Sequence, residues 1–142
     1  MATTRTARTS WKGSLKEGAG QVSLDSSGIG TYDVSWPARA DEANGKTSPE
    51  ELIAAAHSSC FSMAFSGALS KASTPPQSLE TKADVTFEVG VGITSIHLTV
   101  VGSVEGISED DFVSAANGAK ENCPVSQALA GVKSITVDAS LA

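Results

Sequence analysis

The segment Ser48–Leu69, SPEELIAAAHSSCFSMAFSGAL, decides how the chain must fold. Ser48 suits an N-cap, Pro49 suits the first helical position, and Glu51, three residues past the cap, completes a capping box. The pattern predicts a helix from Pro49 to about Ser70. Apolar or small residues at Ile53, Ala56, Cys60, Met63, Ala64, Gly67 and Ala68 keep the i, i+3, i+4 spacing. Ala54, Ala55, Ser58, Ser59 and Ser62 keep the other faces slim. Such a helix can be buried on nearly all sides, so something must cover it.

Upstream, TSWKGSL, GQVSLD and TYDVSW alternate with Gly and Ser turns between Thr9 and Trp36, which predicts an antiparallel meander. Pro37–Thr47 (PARADEANGKT) reads as a polar loop that carries Arg39 and a turn at Asn44-Gly45. Downstream, LETKADVTFEVGVG and ITSIHLTVVGSVEG show period-two alternation and predict a second hairpin with long strands. Ser108, followed by Glu109, Asp110 and Asp111, opens a helix interrupted at Pro124; a short helix then runs to Gly131, and KSITVDASL reads as a last strand. Runs of strands segregated from runs of helices indicate an α+β fold, and 142 residues fit a single domain over 1–142.

Composition narrows the function. With 40% hydrophobic and 18% charged residues the chain is an ordinary globular sequence. A net charge of −6 lacks the basic face that nucleic acid demands, and an acidic surface gains nothing at an anionic membrane. The opening residues MATTRTARTS contain no apolar signal region, and no run approaches the roughly 18 apolar residues of a membrane span. The expected address is the cytoplasm. Two cysteines are too few for a secreted disulfide scaffold, so any pairing between them would be transient and chemical.

Each thiol has two readings. A cysteine on an apolar helix stripe is commonly a small, inert hydrophobe. A reactive one must be a thiolate, yet Cys60 lies about 16 Å from the start of its helix, beyond the reach of the terminus. A side chain must then supply positive charge, and Arg39 is a candidate. Cys123, in Asn122-Cys123-Pro124, sits at the cap of the short helix, where backbone N–H groups could favour a thiolate; otherwise it merely ends a helix. His57, Cys60, His97 and Cys123 could in principle ligate zinc, but only one close ligand pair is present, and neither a metal nor a cofactor is expected. Ser58, Ser59 and Ser62 flank His57 without a nucleophile elbow, which argues against a serine hydrolase.

Taken together, TSPEELIAAAHSSCFSMAFSGAL and KENCPVSQAL resemble the two cysteine motifs of the OsmC/Ohr family of thiol-dependent peroxidases, in its OsmC branch. The resemblance covers almost the whole chain, from the N-terminal W-x-G onward. It implies an OsmC-like α+β fold, with antiparallel sheets around a long buried central helix, in an intertwined homodimer whose site lies at the subunit interface. Cys60 would be the peroxidatic thiolate, Cys123 the resolving thiol, Arg39 the cation beside Cys60, and Glu50 the carboxylate that orients the guanidinium. The implied substrates are organic hydroperoxides and, more weakly, hydrogen peroxide, and the implied role is defence against oxidative or osmotic stress. The apolar side chains of Phe61, Met63 and Phe65 fit that preference. The disulfide would be reduced by an outside dithiol, possibly of lipoyl type. The alternative is a thiol redox sensor or ligand-binding module without turnover.

Helix geometry bears on these roles. Glu50 and Cys60 would be separated by about 15 Å and about 80° of azimuth along one straight helix. They can meet if two copies of the helix cross antiparallel near Ala55, where Ala54, Ala55 and Ala56 permit close approach. That arrangement predicts a symmetric dimer with two equivalent sites.

Overall fold

Trp11 and Gly20 fix the pairing of the first two strands. They are direct cross-strand partners, and a Cβ on Gly20 would lie 2.6 Å from an indole carbon, so only glycine leaves room for the ring. The indole N–H donates to the carbonyl of Gly13 at 3.1 Å. The computed structural model describes all 142 residues, and the chain divides into two compact units, residues 1–52 and 53–142.

In the first unit, β1 (Arg8–Lys12), β2 (Ala19–Ser23) and β3 (Thr31–Val34) form the expected antiparallel meander in that order. The segment read as a loop begins instead with a short helix, α1 (Trp36–Ala40). Ser35 caps it by accepting from the Ala38 N–H at 3.2 Å, and Pro37 presets the first turn. The turn after it is as read. Asn44 (φ 48°) and Gly45 (φ 77°) both take left-handed backbone, and the Lys46 N–H closes onto the Ala43 carbonyl at 3.0 Å.

Helix α2 (Pro49–Lys71) starts where the sequence places it. Half of the capping box forms. Ser48 Oγ accepts from the Glu51 N–H at 3.1 Å, while the Glu51 carboxylate turns to the Thr47 hydroxyl at 2.6 Å instead of reaching back to the cap. The helix meets the length and composition of a membrane span, with a mean hydropathy of 1.4, contrary to the expectation that no run would. Its sequence suits a protein core as well as lipid.

The second unit shows which face is used. The buried residues of α2 beyond its first turn are His57, Phe61, Phe65 and Leu69, a strict i, i+4 row. This corrects the predicted stripe, in which Ala56, Met63, Gly67 and Ala68 turn out to be exposed, Met63 by 74%. Side-chain size decides the matter, because the two phenylalanines and the leucine fill space that alanine and glycine cannot. Within the chain, therefore, the helix is buried along one row and not all round.

The row packs against a three-stranded sheet and a third helix. Strands β4 (Ser78–Glu88) and β5 (Gly92–Ser103) make the expected long hairpin. Then α3 (Glu109–Asn122) and α4 (Pro124–Ala128) carry the chain over to β6 (Ser134–Leu141), which lies parallel to β5. The sheet is thus mixed, where antiparallel pairing was expected, because a connection containing two helices is long enough for a parallel return. Leu98 and Val100 of β5, Phe61, Phe65 and Leu69 of α2, and Phe112, Ala116 and Ala119 of α3 form one buried cluster with Cys123. The Phe65 ring contacts those of Phe61 and Phe112, with centroids 5.5 and 5.0 Å away.

Phe112 also lies over Gly102 of β5. A Cβ there would meet its ring at 2.6 and 2.7 Å, with Leu79 at 3.1 Å. Gly102→Ala is expected to destabilise the protein by about 1–3 kcal/mol through overpacking, read as a lower urea midpoint at unchanged slope. An unchanged midpoint would contradict this packing.

Candidate active site

Cys60 stands on α2 one residue before Phe61, so the buried row that anchors the helix also aims the thiol. Cys60 is partly buried and packs against the core cluster, and Cys123, fully buried, belongs to it. Cys123 ends α3 and caps α4, the position read from the sequence. Both thiols are free, and their sulfurs share a hydrogen bond at 3.0 Å. A disulfide of about 2.0 Å requires only a small further approach.

The two thiols are not equivalent. Burial pushes the Cys60 thiol up, and the neighbouring Cys123 adds to this; the backbone N–H of Val125 opposes it. Burial also opposes ionisation of Cys123. Against it act a hydrogen bond from the Cys60 thiol, the N–H and hydroxyl of Ser126 and the N–H of Val125, and together they hold Cys123 below the ordinary thiol value. The single chain therefore places charge on Cys123 more readily than on Cys60.

His57, one turn before Cys60, is fully buried, and its Nε2 lies 2.6 Å from Ser126 Oγ on α4. Its Nδ1 is buried without a hydrogen-bond partner. Ser126 lies in the second cysteine motif, but the sequence gives it no role, since a hydroxyl in the first turn of a short helix reads as a solvent or capping group. His97 lies elsewhere, on β5, with its ring nitrogens 2.6 Å from Thr136 Oγ1 and 3.1 Å from Asp138 Oδ2 on β6. The helix serines bond to carbonyls of the preceding turn, Ser58 and Ser59 to those of Ala55 and Ala56 and Ser62 to that of Ser58, and Ser62 also meets the Thr81 hydroxyl on β4. That matches the packing role expected of them.

In the first unit, Arg39 meets Glu50 in a bidentate pair. Arg39 Nη2 donates to Oε2 at 2.9 Å, and Nε donates to Oε1 and Oε2 at 3.0 and 3.2 Å. The Glu50 side chain is 8% exposed and the arginine 31%. A carboxylate buried to this degree needs such a partner, and the fork fixes the plane of the guanidinium. An apolar cavity of about 370 Å³ beside it is lined in part by Trp11, Val22, Trp36 and Arg39.

Residues 41–138 match the model of the OsmC family, described as OsmC-like protein, over more than half the chain. A protein named Peroxiredoxin OsmC from Escherichia coli (strain K12) is 40% identical over 134 residues, covering 92% of each chain. The chain belongs to the OsmC family. A protein of the same name from Shigella flexneri matches to the same extent. Two solved structures extend the likeness to the whole OsmC fold. An OsmC-like protein from Mycoplasma pneumoniae has a TM-score of 0.73 at 15% identity, covering 99% of both chains. The organic hydroperoxide resistance protein OhrB of Bacillus subtilis has a TM-score of 0.67 at 24% identity, covering 96% of this chain and 98% of its own.

Burial lowers the His57 pKa from 6.5. Below about pH 6.5 the unfolded chain then binds a proton at this histidine that the folded chain does not, so stability falls as pH decreases through that window. The expected slope reaches at most about 1.4 kcal/mol per pH unit. Urea titrations of wild type and His57→Gln between pH 5 and 7.5 should show the extra acid loss only in wild type.

Proposed function

We propose that this OsmC-family chain reduces organic hydroperoxides by a two-thiol cycle in which Cys60 reacts first and Cys123 closes the disulfide. That the chain is a peroxidase rests on its two relatives named Peroxiredoxin OsmC. The observation that carries the two-thiol cycle is the contact of Cys60 and Cys123 across 3.0 Å in a partly buried setting.

In the first step the Cys60 thiolate attacks the outer oxygen of the hydroperoxide. The O–O bond breaks, the leaving alkoxide takes a proton as alcohol, and Cys60 becomes a sulfenic acid. The Cys123 thiolate then attacks the Cys60 sulfur, and the sulfenic hydroxyl leaves as water. An outside dithiol, possibly of lipoyl type, returns both thiols to the reduced state. A reducing cytoplasm suits such a cycle.

The first step needs a cation that the surroundings of Cys60 in the second unit do not supply, since burial and Cys123 both raise its pKa. Our reading assigns that role to the Arg39–Glu50 pair of a second copy. It is supported by the exposed strip of Ala55, Ala56, Ser59, Gly67 and Ala68 on α2, small enough for a second copy of the helix to lie close. A two-fold antiparallel crossing near Ala55 would cover the strip and form two equivalent sites in an intertwined homodimer. The guanidinium would oppose the effect of burial on the thiol and donate to the peroxide oxygens.

Peroxide consumption with a dithiol donor tests the cycle. Cys60→Ser should abolish it, Cys123→Ser should accumulate a Cys60 sulfenate that dimedone traps, and Arg39→Met should slow Cys60 oxidation by about tenfold or more. Mixing Cys60→Ser with Arg39→Met subunits should restore part of the activity in mixed dimers. Full activity in Cys60→Ser would refute the mechanism, and oxidation that stops after one equivalent of cumene hydroperoxide despite excess dithiol would identify a sensor.

A further inference from the structure

The two-thiol cycle leaves one buried polar pair unused. His57 and Ser126 join the helix that carries Cys60 to the one capped by Cys123, across 2.6 Å and with both residues buried. An apolar pair would fill the same space without desolvating an imidazole, so the bond needs a reason beyond packing.

The protons of the pair can be assigned. If Nδ1 carried the ring proton, a buried N–H would have no acceptor, whereas a proton on Nε2 leaves only an unpaired lone pair at Nδ1. A doubly protonated ring would bury both a charge and an orphan donor, the costlier arrangement, and burial accordingly lowers the pKa of the ring. Nε2–H therefore donates to Ser126 Oγ. A serine hydroxyl has a single proton, and an Oγ that already accepts from the imidazole is free to direct that proton elsewhere. Ser126 is the third residue of α4, the helix that Cys123 caps, and both residues are buried, so the cysteine sulfur lies in the same first turn as the hydroxyl.

We propose that His57 and Ser126 form a donor relay, Nε2–H to Oγ–H to Cys123 Sγ, that orients the resolving sulfur toward Cys60 and holds it as the nucleophile of disulfide closure. In this relay Ser126 acts on the reacting sulfur directly, and His57 is a positioning residue that acts through it. The relay itself gains and loses no proton. Cys123 attacks the sulfenic sulfur as the thiolate, the S–S bond forms as the S–O bond breaks, and the departing hydroxide takes up the proton that Cys123 released and leaves as water.

This inference rests on the two-thiol cycle, so its test begins by showing that wild type passes from sulfenate to disulfide. A wild-type protein that never closes the disulfide overturns both readings; the remaining outcomes concern the relay alone. One equivalent of cumene hydroperoxide is added to the reduced protein, and dimedone quenching with intact-mass analysis follows the sulfenate. Ser126→Ala and His57→Leu should lengthen its lifetime about tenfold, the effect of losing one hydrogen bond to a charged group. His57→Gln, whose amide can also donate to Ser126 Oγ, should restore closure to within about threefold of wild type. In a Cys60→Ser background, Ser126→Ala should also move the iodoacetamide profile of Cys123 to higher pH, which a purely structural serine would not do. The small Ser126→Ala change keeps the test decisive if His57→Leu fails to fold. Wild-type closure and an unmoved alkylation profile in folded Ser126→Ala would overturn the relay.

Discussion

The contact of Phe65 with Phe61 and Phe112 is the constraint on which the second unit depends. These rings, with Leu69, Leu98 and Val100, pin one row of α2 against the central strand and α3. Each side chain so buried is worth about 1.5–3 kcal/mol, enough to fix the rotation of the helix. With that rotation set, Cys60 beside Phe61 and His57 one turn earlier both take defined directions. The same Phe112 requires glycine at position 102 and ties α3, whose end carries Cys123, to the sheet. Packing thus brings the sulfurs to 3.0 Å before any chemistry is considered.

Electrostatics then divides the labour between the two thiols. Cys123 receives donors from the start of α4, while Cys60 receives burial with little to offset it. The Arg39–Glu50 fork, with its carboxylate almost fully buried, holds its guanidinium in a fixed plane, which is why the proposed mechanism gives it the activating role. The small exposed residues of α2 and the poor activation of Cys60 in the chain alone are the two observations behind the proposed pairing with a second copy.

Much of this was legible in the residues. Ser48-Pro49 marked the start of α2, Ser108 that of α3, Asn44-Gly45 a left-handed turn, and alternating residues the long hairpin, because caps, turns and period-two burial are local properties. The motifs around Cys60 and Cys123 pointed to the family. Less was legible where size or distant partners decide. The buried face of α2 was misplaced because its alanines, glycine and methionine match a helical period as well as its phenylalanines do. Helix α1 was hidden in a polar segment too short to show periodicity, and the parallel pairing of β6 depends on a crossover that no local pattern records.

The sequence by itself determined the positions of the long helices and of the strands and singled out two cysteine motifs, since these follow from short-range backbone preferences and from motif chemistry. Only the tertiary structure decided which row of α2 is buried, that Cys60 and Cys123 meet, and that His57 reaches Ser126 on α4. Those outcomes depend on large side chains from separate elements filling one space, and a buried polar atom must take whichever partner that packing brings within hydrogen-bond reach.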